Sequence, residues 1–106
     1  MQKVTMVRYS AKPECVDENE ALARNVFAEL RASAPGHVAY LMFKDGTDYL
    51  HLFVNLGADD SSPLTALPGF KAYAKGIGER CIALPTATNF SLQLVEAYGV
   101  RAPAAL

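Results

Sequence analysis

The chain has 106 residues and a mass of 11.4 kDa, so one domain over residues 1–106 is expected, with no room for a second. Hydrophobic residues make up 51% and charged residues 20%, with a net charge of -1 and a pI near 6.1. This is the balance of a folded globular protein, and it lacks the basic surplus of a nucleic-acid binder. The longest apolar run, Val38 to Phe43, is too short to cross a bilayer, and Met1-Gln2-Lys3-Val4 opens no signal-peptide pattern. No nucleic-acid partner, no membrane association and a cytoplasmic location are therefore expected.

Lys3 to Ser10 carries Val4, Thr5, Val7 and Tyr9 and reads as a first strand. Pro13 ends it, and a helix is expected from about Asp17, whose carboxylate suits early helix N–H groups. Val16, Ala23, Val26, Phe27 and Leu30 recur at three- and four-residue steps and define its apolar face. Ala34-Pro35-Gly36 stops this helix, because the residue before a proline avoids helical geometry. Val38 to Lys44 and Tyr49 to Asn55 form a hairpin around Asp45-Gly46-Thr47-Asp48, where Asp-Gly suggests a tight turn with positive φ at both central residues. Gly57 to Pro63 is a polar loop. A second helix starts at Pro68 and shows Phe70, Tyr73, Ala74, Ile77 and Cys81 on one face, weakened by Gly76 and Gly78. Thr88 to Tyr98 alternates, with Phe90, Leu92 and Leu94 on one side, and reads as the last strand.

The order β-α-β-β-α-β predicts an α+β, ferredoxin-like fold: a four-stranded antiparallel sheet with two helices on one face. Right-handed crossovers place the first strand between the third and the fourth. A hairpin closed by two or four residues groups Val38, Tyr40 and Met42 with Tyr49, His51, Phe53 and Asn55. Ala39, Leu41 and Phe43 then share the other face with Leu50, Leu52 and Val54. Both faces are apolar, yet two helices cover only one. Burying a large side chain is worth roughly 1.5–3 kcal/mol, so a homodimer packed sheet to sheet is expected. Long loops or the Arg101-to-Leu106 tail are the alternative cover.

At this point the chain resembles the antibiotic biosynthesis monooxygenase-like family within the dimeric α+β barrel proteins. The resemblance is carried by Ala11-Lys12-Pro13-Glu14 before an acidic helix start, Val38-Ala39-Tyr40 opening the second strand, and Leu67-Pro68-Gly69-Phe70-Lys71-Ala72-Tyr73 opening the second helix. It implies a ligand cavity between sheet and helices in each subunit. It also implies membership among cofactor-independent oxygenases of aromatic phenols, quinol oxygenases, haem-degrading enzymes or proteins of no assigned activity. The haem-degrading branch takes its iron ligand from a histidine on the second helix, and that helix here has none. The tryptophan of several aromatic-substrate members has no counterpart either.

The candidate site centres on His51, mid-strand between Leu50 and Leu52. An imidazole there could take a proton from a phenol or hydroquinone and so generate an anion that reacts with O₂. Asn55 would donate to the developing oxyanion, making His51 and Asn55 the expected catalytic pair. Tyr40 and Phe53 would sandwich an aromatic ring, Phe27 and Tyr73 would roof the cavity, and Arg8 would anchor an anionic group. The competing structural readings are a core histidine satisfied by tyrosine or backbone, an Arg8–Glu96 pair, and plain core aromatics. Cys15 and Cys81 form no C-x-x-C pair, and with His37 and His51 they show no ligand spacing. No metal and no cofactor are therefore expected. The expected function is a cofactor-independent monooxygenase-like protein for a small phenol, hydroquinone or anthrone-type substrate, or else a non-catalytic ligand-binding protein on the same scaffold.

Overall fold

The computed structural model describes residues 3–57 and 63–99. Most of the Gly57 to Pro63 loop and the whole Arg101 to Leu106 tail lie outside the described residues. The elements are β1 (Lys3–Ser10), a 3-10 turn (Pro13–Cys15), α1 (Val16–Ser33), β2 (Val38–Asp45), β3 (Asp48–Asn55), α2 (Pro68–Lys75), α3 (Ile77–Arg80) and β4 (Thr86–Ser91). The four strands form one antiparallel sheet in the order β2-β3-β1-β4. This is the ferredoxin-like α+β arrangement, with β1 between β3 and β4 as the crossover rule requires.

Register fixes the two faces. Val38, Tyr40 and Met42 stand opposite Asn55, Phe53 and His51, and β3 alternates buried Tyr49, His51, Phe53 and Asn55 with half-buried residues between. Facing the helices, these side chains join Tyr9, Ala23, Val26 and Tyr73 in the core. On the opposite face Val4, Met6, Leu41, Leu50, Leu52 and Val54 are half-buried and Phe43 is exposed. No described element covers that face.

Four details differ from the sequence reading. The hairpin turn uses positive φ at Gly46 alone, at 62°. That is the one-glycine pattern of a II′ turn, so Thr47 can follow in an ordinary conformation. Helix α1 starts one residue before Asp17, with Cys15 as N-cap and no side-chain cap bond. At its far end Ala34 takes a left-handed φ of 47° and returns its N–H to the Leu30 carbonyl, which unwinds the chain before Pro35. The second helix breaks at Gly76, leaving Cys81 beyond it, buried and bridged to Ala11. Finally β4 ends at Ser91 rather than Tyr98. Ser91 pairs with Lys3, the first described residue of β1; past it the alternating residues Leu92 and Leu94 pair with no strand among the described residues and stand about half exposed.

Candidate functional site

Between the sheet and α2 lies a cavity of about 420 Å³, within the range of small-molecule sites. Its sheet wall is Thr5, Val7, Tyr40, His51, Phe53 and Asn55. The helical side supplies Phe70, Tyr73, Ala74 and Ile77, while Leu64 and Thr65 close one end. Lys3 and Asn89 stand at the sheet's β1–β4 side, where the Thr5 hydroxyl donates to Asn89 Oδ1 at 2.8 Å.

His51 is 3% exposed, and both its nitrogens are bonded. Nδ1 lies 2.7 Å from the Tyr40 hydroxyl, and Nε2 lies 2.7 Å from the Tyr9 hydroxyl. The Tyr73 hydroxyl donates to Tyr9 Oη at 2.7 Å and sits 3.4 Å from Nε2. Asn19 Nδ2 donates to the same Tyr9 oxygen at 2.9 Å. Behind Asn19, Arg80 Nε donates to its Oδ1 at 3.2 Å, and the guanidinium reaches the Tyr73 carbonyl at 2.5 Å. Arg80 is 4% exposed and lies over the Tyr73 ring, 5.3 Å from its centroid. A buried guanidinium must be well hydrogen-bonded to be tolerated. These contacts do that, and among the described residues no buried side-chain nitrogen or oxygen is left unpartnered.

Burial governs the protonation of the cluster. Desolvation lowers the His51 pKa from 6.5 to about 4, so the imidazole is neutral at pH 7. The hydroxyls of Tyr40 and Tyr73 are pushed well above the usual phenol range, chiefly by burial. Tyr9 is also raised, again mainly by burial, with bonds from Asn19 and Tyr73 pulling the other way. All three tyrosines are therefore protonated at neutral pH. An imidazole poised near neutrality, as the sequence suggested, is not what the fold provides.

Of the residues singled out from sequence, His51, Asn55, Tyr40, Phe53 and Tyr73 meet at this cavity. Asn55 Oδ1 accepts from the Gly57 N–H at 2.9 Å, which makes Nδ2 the donor end of that amide. Phe27 stands one layer back, stacked on Tyr40 at 4.7 Å, and supports the wall without lining it. Arg8 does not reach the cavity. Strand alternation turns Thr5 and Val7 inward and places Arg8 on the opposite face with Met6, Leu50 and Thr86. Its suggested partner Glu96 lies beyond the end of β4 and accepts instead from the Ala97 N–H.

Tyr9, Asn19 and Arg80 escaped the sequence reading, although each left a trace. Asn19 is a polar residue four before Ala23 and seven before Val26, on the apolar stripe of α1. Arg80 falls seven after Tyr73, where Cys81 seemed the better inward residue. Tyr9 continues the inward alternation of β1.

Fold and cavity together define a ferredoxin-like α+β protein with a cavity between sheet and helices. Solved structures share this fold. The Mycobacterium tuberculosis protein Rv0793 is 16% identical, with 92% of this chain and 100% of that one aligned at a TM-score of 0.75. A Caulobacter crescentus protein provisionally assigned as an antibiotic biosynthesis monooxygenase is 18% identical, covering 90% and 91% at 0.71. A variant of SnoaB, a cofactor-independent oxygenase from Streptomyces nogalater, is 18% identical, covering 89% and 95% at 0.63. No family model and no curated protein matches the sequence. At these identities the likeness establishes the fold, which does not by itself fix the chemistry.

Proposed function

We propose that this chain is a single-domain, cofactor-independent monooxygenase-like protein that takes a small phenol, hydroquinone or anthrone-type substrate into the cavity. The observation that carries this reading is the apolar, ring-lined wall of about 420 Å³ with a Tyr40–His51 pair set into it. Tyr40 and Phe53 lie edge to face at 6.0 Å, and Tyr73 and Phe70 face them across the space, a lining suited to a flat ring.

Direct proton removal by His51 does not fit its surroundings, since both nitrogens are committed to tyrosines. The Tyr40 hydroxyl instead meets the substrate oxygen, with the Asn55 amide as a second donor. Both favour the ionised form of that oxygen in a site of low dielectric, and its proton leaves to water. The electron-rich anion then reduces O₂. One oxygen atom enters the ring system as a carbonyl and the other leaves as water, so RH₂ + O₂ gives R=O + H₂O. All four electrons come from the substrate. The same saturation of His51 favours a second reading, a binding protein without turnover.

Oxygen uptake by metal-free protein with hydroquinone and anthrone separates the two. Turnover that falls at least tenfold in Tyr40→Phe and His51→Ala, with the fold intact by circular dichroism, supports the enzyme. Saturable binding of the same compounds with no uptake overturns the enzyme and leaves the binding protein. Absence of binding overturns both.

The similarity of the two sheet faces supports a further part of this proposal: a homodimer packed through the outer face. Val4, Met6, Leu41, Leu50, Leu52 and Val54 form a continuous apolar surface there, and a two-fold axis would match that surface to itself. Light scattering at micromolar concentration should return twice 11.4 kDa; a particle of that single mass refutes it.

A further inference from the structure

We infer that Asn19, which does not touch the cavity, decides which nitrogen of His51 carries the proton and thereby makes Tyr40 a hydrogen-bond donor toward the ligand. The argument is a count of hydrogens. Arg80 can only donate, so the Asn19 amide must turn Oδ1 to Arg80 and Nδ2 to Tyr9, as observed. A phenol oxygen accepts two hydrogen bonds and donates one. Tyr9 Oη has three partners: Asn19 Nδ2, the Tyr73 hydroxyl and His51 Nε2. With the first two donating, the Tyr9 hydrogen goes to Nε2.

Reversing the Tyr9–Tyr73 bond changes nothing at the imidazole. The Tyr73 hydrogen would then have Nε2, at 3.4 Å, as its acceptor in the cluster. In both arrangements Nε2 accepts. A hydrogen on Nε2 would instead leave the Tyr73 hydrogen without an acceptor in the cluster. Of the two cavity-lining tyrosines Tyr73 is the more deeply buried, 5% exposed against a half-buried Tyr40, so that orphan costs about a lost hydrogen bond. The proton therefore sits on Nδ1 and is donated to Tyr40 Oη at 2.7 Å. Tyr40 already accepts, so its own hydrogen is not spent on His51 and points to the cavity it lines.

The chemical consequence is selectivity for the ligand atom at that point. A donor favours a phenolate or a carbonyl oxygen over a neutral hydroxyl, which deepens the reading above and rests on it for this step alone. Asn19→Asp reverses the pattern. A carboxylate accepts from both Arg80 and Tyr9, so the Tyr9 hydrogen turns away from His51. Nε2 then becomes the donor to Tyr9, and Nδ1 becomes the acceptor of the Tyr40 hydrogen.

Long-range 1H–15N correlation spectra of the imidazole, in ligand-free protein at pH 8, read the tautomer without any substrate. The expected result is a proton on Nδ1 in the unmodified protein and on Nε2 in Asn19→Asp. A proton on Nε2 in the unmodified protein overturns the inference, as does an unchanged tautomer in a folded Asn19→Asp. Should that variant fail to fold, Tyr9→Phe combined with Tyr73→Phe, which removes both hydroxyls beside Nε2, is expected to give mixed tautomers; a pure Nδ1 form there also overturns it.

Binding of 4-nitrophenol, a phenol that ionises near neutrality, supplies the second readout. Over that range Tyr9, Tyr40 and Tyr73 stay protonated, while among the described residues Arg80 behind Asn19 and Lys3 at the β1 side of the cavity are the charged groups facing the site. Affinity should rise about tenfold as the ligand ionises, and that gain should vanish in Asn19→Asp. Equal gains in both proteins overturn the inference. Missing oxygenase activity would leave the tautomer result standing, so the two readings fail separately.

Discussion

Lowering the pH should unfold this protein through His51 before its carboxylates matter. The imidazole ionises near 6.5 in an unfolded chain and near 4 in its buried site. Its folded-state pKa is depressed, so the unfolded state binds the proton first. The stability this group contributes is complete above about pH 6.5 and is lost as pH falls toward 4. Each unit of separation corresponds to about 1.36 kcal/mol, so the loss between pH 8 and pH 5 is about 2 kcal/mol and approaches about 3 kcal/mol near pH 4. Glu20 is held below the usual carboxylate range by Lys44 and by Tyr49, so its share disappears only further down; stopping at pH 5 keeps it out of the window. Urea unfolding at pH 8, 6.5, 5.75 and 5, at fixed protein concentration, measures the slope. His51→Gln provides the comparison, and His37, present in both proteins, cancels from the difference. The variant should be less stable at pH 8 and nearly flat across the range. Equal slopes in the two proteins would refute the idea that the buried imidazole carries the acid sensitivity.

Other consequences follow from the packing. Glu29 on α1 accepts from the Gly69 N–H at 2.9 Å in the first turn of α2. Glu29→Ala should therefore cost about 1 kcal/mol in urea unfolding, the usual worth of a helix cap. Val26 is fully buried under the sheet, and Val26→Ala should cost about 2 kcal/mol from two lost methyl groups and the space they leave. A charge at Leu52, central on the outer sheet face, should split the proposed dimer: Leu52→Glu is expected to run as a single chain on gel filtration. A dimer surviving that change would place the interface elsewhere.

The sequence was most informative where a periodic pattern met a punctuating residue. Gly46 between two alternating runs fixed the hairpin register, and that register sorted every β2 and β3 side chain onto its face. It was least informative where an element ends for want of a neighbour. The pattern of Phe90, Leu92 and Leu94 is a good strand signal, but a strand needs a partner, and among the described residues the pairing of β4 with β1 runs only to Ser91 opposite Lys3. The same limit applies to the site. His51 and Tyr40 share a face by simple alternation, whereas Tyr9, Asn19 and Arg80 come from three other elements and form a hydrogen-bonded chain that ends on Nε2. Their meeting depends on how α1 and α3 lie over the sheet, which no local pattern encodes. The neutral state of His51 was missed for the same reason, since desolvation is a property of the assembled core.

The interruption at Gly76 has a use of its own. Helix α2 stops at Lys75, and the guanidinium of Arg80 donates to the carbonyl of Tyr73, one of the last four of that helix. A continuous helix would offer that carbonyl to a main-chain amide instead and leave the cation in the core with one fewer acceptor. Gly76→Ala, which in an ordinary helix interior is a gain, would here bring a methyl carbon to about 3.1 Å from the guanidinium. The loose joint thus keeps an arginine in place, and straightening it would trade a better helix for a worse anchor.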